Sequence, residues 1–286
     1  MARIELSKLN KLVGTGVKIT PADLLLKDLN KYIIAVNSRP YRCSRAFKPS
    51  SMQCKRNMFY QINGALITED MIAPEDVSGV RIGECGTDAH ERIQQYLIDM
   101  GNNEEFGKTW EYYDVERFIK EFHLEDELEV IDKRGLEYKI YNKKYNIRFQ
   151  TDGMLRNKLT NVFYIFEFKT ETDMKFNRRE CVDEKHHRQA ISYCLSFHID
   201  TGVIFLYEGR DFLGHKAYYF PVSAEMKQSL VNLMEEINTA VKQQILPEKC
   251  GDRKICQYCE YQKYCRYDMI GPKDPAYIEE DKKKEE

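Results

Sequence analysis

Between residues 135 and 170 the apolar pattern of this chain changes its period from helical to two, and no other feature limits the fold so strongly. The segments 135–141 (GLEYKIY), 144–152 (KYNIRFQTD) and 162–170 (VFYIFEFKT) alternate and are rich in Tyr, Phe, Ile and Val, so each predicts a strand. Before them, residues 21–36 predict a helix opened by Pro21, and Ser50 or Ser51 is placed to cap a second helix running to about Asn63. Thr87 is placed to cap a third, DAHERIQQYLIDM, ending near Gly101, and a fourth is expected over 110–122. After the strands come a helix over about 177–198, strands near 202–208 and 216–222, and a helix over 223–243. Helices, a strand meander and then alternating elements predict an α/β or α+β sandwich rather than a doubly wound parallel sheet.

The length of 286 residues permits one large domain or two small ones. With 42% hydrophobic residues, 31% charged residues and 44 Lys+Arg against 46 Asp+Glu, the composition excludes wholesale disorder, a collagen-like repeat and a blanket polycation. No apolar run reaches the ~18–20 residues of a membrane span, and the opening MARIELSKLNKL has no apolar signal region. The expectation is a soluble, cytoplasmic protein without a membrane partner. Charge is nevertheless segregated. Residues 69–129 carry 18 acidic against 5 basic side chains, 131–158 carry 8 basic against 3 acidic, and Arg42, Arg45, Lys48, Lys55 and Arg56 occur together without an acid. Positive surface collected on one side would suit a polyanion, and ordinary solvated faces are the competing reading.

Glu167 and Lys169 form an E-x-K pair inside an apolar strand, on the face that also carries Phe163 and Ile165. Charges placed there cost energy unless they are paired or coordinated. The same tripeptide pattern at Glu137/Lys139, Glu225/Lys227 and Glu280/Lys282 lacks this context and is read as accidental. If strands 144–152 and 162–170 pair around a turn at Lys158–Asn161, Asp152 sits opposite Glu167. Two carboxylates that close repel, and a divalent cation with hard oxygen ligands, Mg²⁺ or Mn²⁺, removes the repulsion. Lys169 would then orient or help deprotonate the attacking water and stabilise charge on a phosphate. A polar cross-strand cluster in a slipped register is the alternative.

This D-x(14)-E-x-K spacing resembles the signature of the PD-(D/E)XK nuclease superfamily, whose core is αβββαβ. His90 in GTDAHERI and Gln189/Tyr193 in HRQAISY are similar to the helical histidine and the Q-x-x-x-Y motif of its RecB-like branch. The resemblance implies that His90, Asp152, Glu167 and the backbone carbonyl of Phe168 bind the metal, with Asp88 and Glu91 as fallback ligands. It also implies catalytic roles for Asp152, Glu167, Lys169, Gln189 and Tyr193. The i, i+4 spacing puts Gln189 and Tyr193 on one helix face, where they would present an amide and a phenol to a substrate strand. His186 and His187, adjacent on that helix, are expected to meet phosphate or solvent.

Nine cysteines without a targeting segment point to metal or catalysis rather than to disulfides. Cys250, Cys256, Cys259 and Cys265 fall within sixteen residues and could by themselves hold Zn²⁺. The C-x2-C-x5-C spacing of Cys256, Cys259 and Cys265, together with Cys54 far upstream, resembles the iron–sulfur subset of RecB-like nucleases. That subset includes the AddB nuclease domain, CRISPR-associated RecB-like exonucleases and related phage proteins. The resemblance implies a [4Fe–4S] cluster on Cys54, Cys256, Cys259 and Cys265, joining positions about 200 residues apart as a staple. Cys43, Cys85, Cys181 and Cys194 are read as buried or incidental thiols.

The organisation expected is an N-terminal extension over 1–45, a nuclease domain over 46–268 and a charged, disordered tail over 269–286. The activity expected is Mg²⁺- or Mn²⁺-dependent DNA hydrolysis, by family analogy exonucleolytic, on single-stranded or free-ended DNA, beside a helicase, recombination or integrase partner. Arg42, Arg45, Lys48, Lys55, Arg56 and Arg188 are the expected nucleic-acid contacts, with Phe59, Tyr60 and Tyr258 stacking on bases. A catalytically silent or zinc-ribbon module that binds single-stranded nucleic acid is the rival reading.

Overall fold

The computed structural model describes residues 20–37, 44–72, 77–211 and 214–278. Its contacts divide the chain into two units, Met1–Tyr41 with Pro74–Cys85, and Arg42–Ala73 with Gly86–Glu286. In the first, α1 (Pro21–Asn37) opens at Pro21, with Thr20 and Asp23 exchanging hydrogen bonds across its first turn. Asn37 donates to Glu84 at 3.4 Å.

The second unit begins with a 3₁₀ turn, Pro49–Ser51, and α2 (Lys55–Asn63), whose N-cap is Cys54 rather than Ser50 or Ser51. Gly64 ends α2 at φ +68°, the left-handed region that glycine enters without cost. Helix α3 runs from Val77 to Asn102, straight through the expected start at Thr87. Gly83 and Gly86 lie inside it with open space around them, so each weakens the helix by about 1 kcal/mol without a steric reason to end it.

The expected helix over 110–122 divides into β1 (Trp110–Tyr113) and α4 (Val115–Glu121), because Asp114 is extended and caps α4 by accepting from the Arg117 N–H at 2.8 Å. An antiparallel three-stranded sheet follows, β2 (Leu128–Arg134), β3 (Glu137–Asn142) and β4 (Ile147–Thr151). The chain then passes through Asp152 into a different sheet, as β5 (Gly153–Asn157) and β6 (Val162–Glu171). The single strand expected over 144–152 is therefore the end of one sheet and the approach to another. Its hairpin register is as the sequence predicts. Gly153 pairs with Phe166 and Asn157 with Val162, which aligns Asp152 with Glu167 one step beyond the ladder.

Helices α5 (Asp173–Asn177) and α6 (His187–Ser196), separated by an irregular stretch, replace the one helix expected over 177–198. Strands β7 (Gly202–Gly209) and β8 (His215–Pro221) and helix α7 (Ala224–Gln243) follow, then the short helices α8 (Arg253–Cys256) and α9 (Gln262–Arg266). The five-stranded sheet has the order β1-β5-β6-β7-β8, with β6 and β7 parallel and the other neighbours antiparallel. A small apolar cluster of Ala89, Ile93, Leu155, Phe166 and Phe168 joins α3 to one face of this sheet, and the large core includes α2, α6 and α7.

Residues 269–278, expected to be disordered, are packed on the body. Lys273 bridges Ala65, Leu66 donates to the Pro272 carbonyl at 2.8 Å, and Tyr277 lies against Arg45. Apolar Tyr277 and Ile270 tie this stretch to the core, whereas the charged run 279–286 lies outside the described residues. No helix among the described residues is long and apolar enough to cross a membrane.

Candidate metal centre and cysteine cavity

Asp152 stands where the chain changes sheets, and its backbone is pinned there. Its carbonyl accepts from Gln94 Nε2 at 2.6 Å and from Tyr112 Oη at 2.8 Å. Gly153 follows at φ +142°, and a Cβ there would collide with the Tyr112 ring, so only glycine lets the chain turn at this point. The side chain is held as well, since Oδ2 accepts from the Phe168 N–H at 2.7 Å. The Phe168 residue thus reaches Asp152 through its amide, while its ring meets the His90 ring edge to face at 5.0 Å.

Glu167 is buried, and its Oε1 accepts from Lys169 Nζ at 2.5 Å and from Gln189 Nε2 at 2.9 Å. Its other oxygen, Oε2, is buried without a hydrogen-bond partner. Burial first, and then the charge of Asp152, push the Glu167 carboxyl up to about 7. Burial would likewise raise Asp152, but His90 and Lys169 outweigh it and hold that carboxyl below the ordinary range. Lys169 is kept protonated: burial opposes its charge, and Glu167 and Asp152 more than compensate.

His90 Nδ1 lies 3.2 Å from Asp152 Oδ1 and 3.5 Å from Glu137 Oε1, aligned for a hydrogen bond with neither. His90, Glu137 and Asp152 are the residues whose donor atoms converge within 4.8 Å of one another among the described residues, and Glu167 stands beside this group rather than in it. Two buried donors without partners, His90 Nδ1 and Glu167 Oε2, beside a nitrogen-and-carboxylate donor set fit a divalent transition metal. Asp88 and Glu91, the fallback ligands, are exposed and outside the group. The sequence pattern does not single out Glu137, whose E-x-K resembles the accidental ones; its approach to His90 is tertiary.

Gln189 and Tyr193 are brought to the site, but not in the posture expected. Tyr193 is buried, and its hydroxyl accepts from Gln189 Nε2 at 2.7 Å and donates to the Gln150 carbonyl at 2.8 Å. Its phenol is spent on the protein, so the pair orients Glu167 instead of presenting itself to a strand. His186 Nδ1 approaches Gln189 Oε1 at 3.2 Å, and burial, with Lys169 next, pushes this imidazole down to about 3. His187 stacks on Phe220 at 4.5 Å.

The basic stretch serves mainly structure. Arg56 is buried, donating to the carbonyls of Pro247 at 2.8 Å and Cys265 at 3.2 Å and pairing with Asp268 at 2.5 Å. Lys55 pairs with Glu236 at 2.7 Å, Arg188 donates to the Met52 carbonyl, and Arg45 lies over the Tyr277 ring. Arg42 and Cys43 lie outside the described residues. Phe59 and Tyr60 are core residues, Tyr60 stacking on Tyr261 at 5.2 Å, so neither can stack on a base; Tyr258 is exposed. Lys48 alone of the set lines a cleft beside the site, about 300 Å³ in volume, together with Lys139, Arg148, Gln189 and Tyr193. The Nε of Arg148 is buried without a hydrogen-bond partner.

Cys54, Cys250, Cys256, Cys259 and Cys265 line one cavity of about 360 Å³. Asn57 Nδ2 points at Cys259 Sγ at 3.4 Å, and Arg56 Nη1 lies 3.9 Å from Cys265 Sγ. Four thiolates on one tetrahedral zinc lie about 3.8 Å apart, given Zn–S bonds of about 2.3 Å. Cys250 and Cys256 meet that spacing at 3.6 Å, yet no three thiols among the described residues lie within 4.8 Å of one another. Cys54 also approaches Cys250, and the five thiols offer enough sulfur donors either for one tetrahedral zinc or for a cluster that carries each thiolate on a different iron. Cys194 is buried, and Cys85 and Cys181 are exposed.

No family model matches this chain, and no curated protein matches it. Among solved structures it is similar to the crystal structure of SSO0001, at 16% sequence identity and a TM-score of 0.44, covering 84% of this chain and 96% of that one.

Proposed function

We propose that this protein is a divalent-metal-dependent deoxyribonuclease of the PD-(D/E)XK, RecB-like type. The observation that carries the reading is the convergence of Asp152, Glu167, Lys169 and His90 on one buried polar point where two sheets meet. His90, Asp152 and Glu167 would hold Mn²⁺ or Mg²⁺, and the mixed donor set favours Mn²⁺. When bound, such a cation supplies Lewis acidity to a phosphodiester and its attacking water. The protonated state of Lys169 suits charge stabilisation and water positioning better than the role of a base. Gln189 fixes the Glu167 carboxylate, and Tyr193 anchors Gln189 to the Gln150 carbonyl.

The cleft with Lys48, Lys139 and Arg148 offers phosphate contacts beside the reacting point, so binding weakens steeply with salt. A single-stranded or free-ended DNA substrate and exonucleolytic action within recombination, repair or CRISPR-adaptation-like processing are what the family resemblance implies. Cys54, Cys256, Cys259 and Cys265 would hold a [4Fe–4S] cluster as a clamp between α2 and the C-terminal segment. The Cys250–Cys256 spacing is the observation on the side of zinc.

The test uses end-labelled single-stranded DNA with Mn²⁺. Wild type degrades it and Lys169→Ala does not; equal degradation by both removes the proposed site. Anaerobic purification with metal analysis decides the cysteines, iron with Cys54-dependence supporting the cluster and stoichiometric zinc without iron refuting it.

A further inference from the structure

We propose that Glu137, on the three-stranded sheet, is a ligand of the metal centre, so that the bound cation ties that sheet to the five-stranded one. The inference rests on the metal-site reading above. Beside Glu167 on β6, assigned above, three donors converge from three separate elements: His90 from α3, Glu137 from the start of β3, and Asp152 from the link between β4 and β5. Glu137 is mostly buried, an unfavourable place for a carboxylate that faces another carboxylate across one imidazole nitrogen. A single ring nitrogen cannot satisfy both, and it is hydrogen-bonded to neither. A cation at their meeting point pairs with all three.

The carboxylate of Glu137 is also aimed. Gln150 on the neighbouring strand β4 donates through Nε2 to Glu137 Oε2, which leaves Oε1 toward His90. Gln150 is itself tied to α6, its carbonyl accepting from Tyr193 Oη. This is how ligating carboxylates are ordinarily held, by a neighbour that fixes orientation and leaves one oxygen for the metal. One nitrogen among carboxylate oxygens suits Mn²⁺ better than Ca²⁺ or Mg²⁺.

The experiment is Mn²⁺ titration of chelator-stripped full-length protein, followed by loss of the free Mn²⁺ EPR signal. Glu137→Gln is expected to raise the dissociation constant roughly 10–100-fold with far-UV circular dichroism unchanged. Glu129→Gln, an exposed carboxylate on the neighbouring strand β2, is expected to leave it unchanged. An unaltered dissociation constant in Glu137→Gln overturns the proposal, as does absence of Mn²⁺ binding by the wild type. Hydrogen exchange on the wild type requires no variant. Mn²⁺-dependent protection over residues 137–142 supports the bridge, and protection confined to 166–169 refutes it. DNA digestion run in parallel separates the two readings. Glu137-dependent Mn²⁺ binding without cleavage keeps this ligand and refutes the nuclease, whereas cleavage with Glu137-independent binding does the opposite.

Discussion

Replacing Glu167 with glutamine should stabilise the metal-free protein at alkaline pH and leave it unchanged in acid. Glu167 titrates at about 7 in the folded chain, against 4.5 for the ordinary side chain, because burial and then the nearby Asp152 disfavour its charge. Between these values the unfolded chain has released the proton that the folded chain retains, so stability falls as pH rises through this window and levels off above it. Each pH unit is worth about 1.4 kcal/mol, so at pH 8 the ionised carboxylate weakens the fold by about 3 kcal/mol, a figure already net of the attraction to Lys169. Glutamine retains the shape and an oxygen able to accept from Lys169 and Gln189, and it carries no charge to repel Asp152. Urea denaturation with EDTA at pH 4.5, 6 and 8 reads the effect. The variant should match wild type at the lowest pH and exceed it by about 3 kcal/mol at the highest. Parallel stability profiles for the two proteins would refute the argument that Glu167 and Asp152 share one buried, strained site.

Other perturbations test the surrounding frame. Gly153→Ala places a methyl group on the Tyr112 ring at a backbone angle that L-residues avoid, and should cost at least about 2 kcal/mol in urea denaturation and weaken Mn²⁺ binding. Arg56→Met removes charge-assisted bonds to the Pro247 and Cys265 carbonyls and to Asp268, and should cost about 3 kcal/mol and expose the 247–268 segment to limited proteolysis; unchanged proteolysis contradicts a structural role. Tyr193→Phe leaves the Gln150 carbonyl without its donor, so a loss of about 1–2 kcal/mol and a lower kcat with unchanged KM are expected; a change in KM alone would restore substrate contact. Burial works against the charge of Asp183, but Lys175 and the Lys185 amide prevail and hold it at about 2, so its stabilising contribution is full above about pH 4 and lost as pH falls toward 2; Asp183→Asn should flatten that part of the acid-unfolding curve.

The hairpin shows how much of the site was legible. Alternation in 162–170 and a turn at Lys158–Asn161 predict the register that aligns Asp152 with Glu167, because pairing partners across a short turn follow from chain position alone. The same pattern could not reveal that 144–152 ends one sheet and leads into another. The break depends on Gly153 meeting Tyr112, which is 41 residues earlier in the chain. A second sheet brings Glu137 to His90, and nothing local distinguishes that E-x-K from the ones that remain accidental.

Residue types and spacings alone thus determined several local elements, the E-x-K strand, the Gln189/Tyr193 face and the grouping of the cysteines among them, since each depends on backbone periodicity or neighbours in sequence, but not the division of 110–122 and 177–198. Burial was decided only by tertiary structure. Packing against the C-terminal segment made Arg56 and Tyr60 internal supports rather than DNA contacts, and the Gln150 carbonyl claimed the phenol of Tyr193. A side chain's charge and hydrogen-bonding capacity are written in the sequence, whereas the partner that uses them is chosen by residues far away in the chain, and for a buried polar group that choice sets its chemistry.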